Sequence, residues 1–212
     1  MQPAECRNAD TVIVLDFETT GMSPDQGDRA IEVGAIKLQC GTITDRFQGL
    51  MNPGLQVSSF IEELTGISND MLSRAPACEL VMHEFADFID GFDLVAHNAS
   101  FDRRFLDAEL AAIDRVYSGE FACSMLAARR VYPQAPNHKL GTLVEYKCIS
   151  NNGTFHRALA DAEMTAGLWL EMLSDITVQH QMEYIPFTVM QQLGRVPAAA
   201  AAGFLGRAAQ HN

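Results

Sequence analysis

Asp16 and Glu18 stand two residues apart at the end of TVIVLDFETTG. The run from Thr11 to Phe17 is β-branched and apolar on both faces, which predicts a central strand. Residues i and i+2 of a strand share one face, about 7 Å apart. Two carboxylates placed there repel each other and lose hydration. One acid could cap the next turn and the other join a salt bridge, but the TTG that follows supplies turn chemistry without a basic side chain. Divalent cations would offset the cost, and hard cations such as Mg²⁺ or Mn²⁺ prefer carboxylate oxygen.

Two further segments carry chemistry. Asp102 lies in LVAHNASFDRRF, in the first turns of a helix expected after a short strand. An acid near a helix N-terminus is common for dipole reasons alone. The His97-Asn98 pair just before it strengthens the case, since loops at strand ends often build sites. In HRALADAEM, His156 precedes a helix and Asp161 lies on it, five residues later. On one continuous helix that step would point the two to different faces. With His156 on the entering loop, both can converge; a capping or surface role for His156 is the alternative. His83, His138, His180 and His211 read as solvent-facing, and His97 as a structural hydrogen-bonding residue of its loop. Arg103, Arg104, Lys139 and Arg157 cluster around these segments, where phosphate contacts and solubilising roles are equally open.

The elements that must hold these residues can be read from periodicity. After the first strand, Ala30 to Leu38 predicts a second and TITDRFQGL a third, joined as a hairpin. Asn52-Pro53-Gly54 ends that meander. A short helix is expected over Ser59 to Leu64, with Ser68 capping another turn. Leu80, Val81, Phe85, Phe88 and Ile89 repeat at helical spacing, and Gly91 stops the helix. Leu94 to His97 predicts a short buried strand. Asn98 is then expected to cap a helix over about Ala99 to Ala112. More helices are expected near Ser124–Val131, Leu140–Tyr146 and Arg157–Leu173. Strands first, then strand and helix alternating, predicts an α/β fold with a mixed sheet. Residues 1–10 read as a loose leader. The alanine-rich tail reads as a frayed, weakly helical terminus, with a partner-docking segment as the alternative.

VLDFETTG, HNASFD and HRALADA, in that order, closely resemble the three motifs of the DEDDh family of 3′–5′ exonucleases, which includes the proofreading epsilon subunit of bacterial DNA polymerase III. RAIEVGAIKL resembles the family's second strand. MNPG and LTGIS resemble its substrate-side loops, although the family often has His where this chain has Thr65. The resemblance covers about Thr11 to Leu173 and implies an exonuclease domain over 11–173, with 174–212 as a helical or loose extension. It implies a ribonuclease H-like fold, a mixed central sheet flanked by helices. By matched position it implies that Asp16, Glu18, Asp102 and Asp161 hold two divalent cations, Mg²⁺ or Mn²⁺, and that His156 is the general base. Thr19, Thr20 and Gly21 would border the terminal nucleotide; Gly66, Ile67, Asn98 and Phe101 would line the substrate groove. The implied reaction releases nucleoside 5′-monophosphates from single-stranded DNA or a frayed DNA 3′ end. RNA trimming is the alternative, because the same five residues serve both.

Composition limits the partners. The chain has 212 residues, 15 Lys plus Arg against 27 Asp plus Glu, and a net charge of −12. A protein held on nucleic acid by bulk charge would read basic, so coating of DNA is not expected, whereas a pocket gripping a few nucleotides is compatible. The sequence carries no polymerase domain, so proofreading would act in trans with a polymerase or other replication or repair partner. With all five motif residues present, a non-catalytic adaptor is the weaker reading, and a small-molecule phosphoesterase weaker still. Cys6, Cys40, Cys78, Cys123 and Cys148 form no CxxC pair, which predicts reduced thiols in a cytoplasmic protein. No apolar run is long enough to span a membrane, and MQPAECRNAD lacks the apolar core of a secretory signal.

Overall fold

The computed structural model describes residues 7–150 and 156–210. Five strands form one sheet in the order β3-β2-β1-β4-β5. β1 (Val12–Thr19), β2 (Ala30–Gln39) and β3 (Thr42–Leu50) make an antiparallel meander. β4 (Asp93–Ala96) and β5 (Phe121–Cys123) add to the other side of β1 in parallel. β1 is buried on both faces, as its uninterrupted apolar run requires. β3 forms one edge and is mostly exposed and polar, which discourages pairing with a second sheet.

Helices cover both faces. α3 (Cys78–Ile89) and α4 (Ser100–Ala111) pack on the side of Ile13, Leu15 and Phe17. The 23-residue α7 (Ala158–His180) lies on the side of Val12 and Val14, flanked by α5 (Ser124–Val131), α6 (Leu140–Tyr146) and α8 (Phe187–Leu193). Two short helices, α1 (Ser59–Thr65) and α2 (Asn69–Arg74), close over Ile31 through Val57, Ile67 and Leu72. The result is a helix–sheet–helix sandwich with a mixed sheet, of the ribonuclease H-like kind. Among the described residues, no helix is long and apolar enough to cross a membrane.

Several expectations change. α7 does not stop near Leu173 but runs to His180, because Ile176 continues its buried stripe. The alanine-rich tail forms α9 (Ala201–Ala209), which buries Ala201 and Leu205 against the same core. The described part of the leader is not loose: the Ala9 N–H donates to the Ile185 carbonyl at 2.8 Å, and the Trp169 indole donates to the Ala9 carbonyl at 2.7 Å. Asn98 does not cap α4. It adopts φ +70° in the preceding turn, and the N-cap position belongs to Ala99. β5 carries too few residues to show a period. Cys40, Cys78, Cys123 and Cys148 are unpaired; Cys6 lies outside the described residues.

Candidate active site

The parallel strands β1, β4 and β5 bring their carboxyl ends to one edge of the sheet. Side chains alternate along β1, so Asp16 and Glu18 fall on the α7 face with Val12 and Val14. Asp102 reaches the same place from the first turn of α4. Its Oδ1 accepts a hydrogen bond from the Phe17 N–H at 3.2 Å, which fixes this carboxyl between the two acids of β1. Asp161, in the first turn of α7, accepts from the His156 N–H at 2.8 Å. His156 itself is exposed and takes φ +60°, a left-handed conformation two residues before α7 begins. All five motif residues therefore converge.

The electrostatics show crowding. Burial, then Asp102, Asp161, Glu18 and Glu32, push Asp16 well above the ordinary carboxyl range. Burial and the same neighbourhood push Glu18 up to about 8. Burial lifts Asp102 to about 7 against the opposing pull of its Phe17 hydrogen bond. Asp161 is raised as well, by burial first, although its bond to His156 works the other way. Glu18, His156 and Asp161 offer ligand atoms that all lie within 4.8 Å of one another, a spacing suited to a metal ion. A cleft of about 520 Å³ opens over Asp16, His156 and Asp161 and is walled by His97, Lys139 and Glu145.

Two residues that position the site were not singled out from the sequence. Glu32, fully buried on β2, stands opposite Glu18 across the strand pair. Burial works against its charge, but bonds from Arg157, Gln48 and the Ala158 N–H hold its carboxyl below the usual range. It thus caps the first turn of α7 from a neighbouring strand. Gly34 lets that turn sit directly on the sheet, since a Cβ there would run into the backbone of Ala158 and Leu159. The signal for Glu32 was an acid inside the apolar run AIEVGAIKL.

The remaining predicted residues divide. The Thr19 hydroxyl donates to the Gly21 carbonyl at 2.6 Å, and Thr20 Oγ1 accepts from the Arg29 N–H at 3.0 Å, so the loop after β1 is held tightly. Gly66 ends α1 in a left-handed conformation. The Ile67 side chain is fully buried against Ile31, Val57 and Leu72, so only its backbone can face a groove. Phe101 is half-buried against Phe105, at 5.0 Å between ring centroids. Asn98 is exposed. His97 is a structural residue as expected: Nδ1 lies 2.9 Å from Ser124 Oγ, and Nε2 lies 3.0 Å from the His138 carbonyl. His83 is exposed, but His138 and His180 are half-buried, and His138 Nε2 bonds the Tyr132 carbonyl; His211 lies outside the described residues. Arg103, Arg104 and Arg157 each pair with a carboxylate, on Asp107, Asp25 and Glu32.

Residues 13–169 match the RNase_T exonuclease family model. The chain belongs to this exonuclease family. The family is divalent-metal dependent, in keeping with the Glu18, His156 and Asp161 group. Among relatives of this exonuclease domain, the chain is 35% identical over 190 residues to the 3′-5′ exonuclease DinG of Bacillus subtilis (strain 168), covering 89% of this chain and 20% of that protein. It is 40% identical over 168 residues to the PolC-type DNA polymerase III of the same organism, covering 78% of this chain and 12% of the polymerase. The chain thus spans a fifth or less of the length of these relatives. Exonuclease X in complex with 5′ overhanging duplex DNA superposes with a TM-score of 0.63 at 26% identity, covering 77% of this chain and 91% of that one. The nuclease domain of 3′hExo, a DEDDh family member, bound to rAMP, shares the fold at a TM-score of 0.67 and 24% identity, covering 78% and 92%.

Proposed function

We propose that this exonuclease domain removes nucleotides from the 3′ end of DNA as nucleoside 5′-monophosphates, in a reaction that needs two divalent cations. The observation that carries the reading is the meeting of Asp16, Glu18, Asp102 and Asp161 at one strand edge, with raised proton affinities and, among the described residues, no ion pair to a basic side chain. The one arginine beside them, Arg157, is engaged by Glu32. Such a donor set, all carboxylate oxygen with one imidazole, suits Mg²⁺ or Mn²⁺. When bound, two such ions stabilise charge on the attacking and leaving oxygens of an in-line displacement.

The chain's own residues do the rest. Asp16, Glu18, Asp102 and Asp161 would hold the ions, whose charge would offset the repulsion between an acidic protein and its polyanionic substrate. His156, exposed on the loop that leads into α7, takes the proton of the attacking water. The loop from Thr19 to Gly21, fixed by its internal bonds, borders the terminal nucleotide. Gly66, the Ile67 backbone, Asn98 and Phe101 line the groove through which the strand arrives. The PolC-type and DinG relatives support a DNA substrate and action beside a polymerase or another DNA-processing partner.

The test uses 3′- and 5′-labelled DNA and RNA oligomers with Mg²⁺, Mn²⁺ or EDTA. A DNA ladder that shortens from the 3′ end, and only with a divalent cation, is expected. Digestion in EDTA, or release of the 5′ label first, would overturn the reading; faster RNA cleavage would replace DNA with RNA.

A further inference from the structure

Most of the 15 lysines and arginines are engaged elsewhere, in ion pairs such as Arg29 with Glu109 and Lys147 with Asp175, or over rings, as with Lys37 above Phe88. Arg129, Arg130, Lys139 and Arg195 differ: among the described residues no ion pair joins any of them to a carboxylate, and Arg130 is taken up by the Val196 and Leu126 carbonyls, which leaves Arg129, Lys139 and Arg195. All three gather around α5. Arg129 is on it and exposed, with its guanidinium 3.8 Å from the Met125 sulfur. Lys139 walls the cleft, and its loop is tied to both ends of α5. His97 bonds Ser124 at the start of the helix and the His138 carbonyl next to Lys139, while His138 bonds the Tyr132 carbonyl just past the helix end. Arg195 follows Gly194, which packs on Leu126 and Ala127 of α5. It lines a groove of about 270 Å³ with Leu126, Cys123 and Ser100.

At 100° per residue, Arg129 falls between the Ser124 side of α5, which meets His97 at the cleft, and the Leu126 side, which lines the groove. Its charge is felt at His97, where burial first and Arg129 in small part push the imidazole down to about 4. Lys139 at the cleft, Arg129 on α5 and Arg195 at the groove are thus distributed around one helix. On a chain of net −12 this is positive charge that, among the described residues, no carboxylate pairs with.

We propose that the strand entering the cleft is led across α5, where Lys139, Arg129 and Arg195 take successive phosphates. This inference rests on the nuclease reading and names the route of its substrate. It also accounts for how an acidic protein holds more than the terminal nucleotide.

Fluorescence anisotropy tests it, with the full chain, Mg²⁺ and a 5′-fluorescein oligothymidylate carrying phosphorothioate linkages to slow hydrolysis, over a range of KCl. Each of Arg129→Ala, Lys139→Ala and Arg195→Ala is expected to weaken binding about two- to fivefold, the scale of an exposed charge contact. The triple variant should lose about 2 from the slope of log K against log salt, at about 0.7 per phosphate on a single strand. Digestion of the ordinary oligomer should show the loss in KM rather than kcat. Arg115→Ala, which removes a half-buried arginine paired with the exposed Asp87, should bind like the parent. A triple variant with parental affinity and slope, alongside a parent that digests DNA, overturns the route and leaves the nuclease reading standing. A parent that binds with a slope the triple variant flattens, yet cleaves nothing, supports the route and overturns the hydrolytic reading.

Discussion

The cleft contains two imidazoles in opposite surroundings. His97 has both ring nitrogens occupied: Nε2–H donates to the His138 carbonyl, which leaves Nδ1 as the acceptor facing Ser124 Oγ. Burial holds it neutral, with its titration near 4. His156 is exposed, and a ring nitrogen lies within 4.8 Å of a carboxylate oxygen of Glu18 and of Asp161. If His156 is the base, His156→Asn lowers kcat by about 10²–10⁴-fold, the scale of general-base catalysis, while oligomer affinity changes little; near-parental turnover would remove it from the mechanism. The acids give a second prediction. Glu18 keeps its proton up to about pH 8 in the fold, against an ordinary 4.5. Between those values the folded state binds more protons than the unfolded one, so the metal-free protein loses stability as pH rises. Asp16→Asn relieves part of the repulsion. One pKa unit of relief is about 1.4 kcal/mol, and 1 kcal/mol moves Tm by about 2–4 °C at this size. The variant should therefore melt a few degrees higher than the parent at pH 8 without metal, and cleave nothing. A lower Tm would mean that Asp16 is structural.

At the scale of elements, the site depends on how closely α7 approaches β2. Glu32 caps the helix from the strand through the Ala158 N–H and holds Arg157 by two bonds, at 2.8 and 3.1 Å. Gly34 leaves room for the helix backbone. Gly34→Ala should cost about 1–3 kcal/mol, as overpacking does, and should lower kcat as well, because Asp161 and His156 move with that turn. Unchanged thermal midpoint and turnover in Gly34→Ala would show that α7 can shift without disturbing the acids. The same contact marks the limit of what sequence can show. The spacing of Asp16, Glu18, Asp102, His156 and Asp161, and the apolar periods of β1, β2, α3 and α5, are local signals and could be read directly. That Glu32 serves a helix 126 residues away, that Asn98 turns left-handed instead of capping, and that Ile67 points into the core are tertiary facts. The alanine-rich tail misled for a related reason: alanine has high helix propensity and little apolar area, and what secures α9 is Leu205 reaching the core of α7 and α8.

For the molecule as a whole, protons and metal ions compete for the same carboxylates, so stability, pH and metal should be linked. Near pH 6, Glu18 and Asp102 retain protons that an incoming cation has to displace; their titrations lie near 8 and 7. Near pH 8 Asp102 has largely lost its proton and Glu18 is about half ionised, and the repulsion those protons masked begins to destabilise the metal-free chain. A cation bound to the folded state alone, at 100 times its Kd, adds about 2.7 kcal/mol, or about 5–10 °C in Tm for a chain of this size. At one fixed Mn²⁺ concentration the gain should be larger at pH 8 than at pH 6, since binding releases protons. Scanning calorimetry with Mn²⁺ and with EDTA at both pH values measures this. Asp16→Asn should flatten the difference, because it removes one ligand and part of the repulsion together. Equal metal-induced shifts at the two pH values in the parent, or none at either, would show that the four carboxylates do not act as a single metal-binding set.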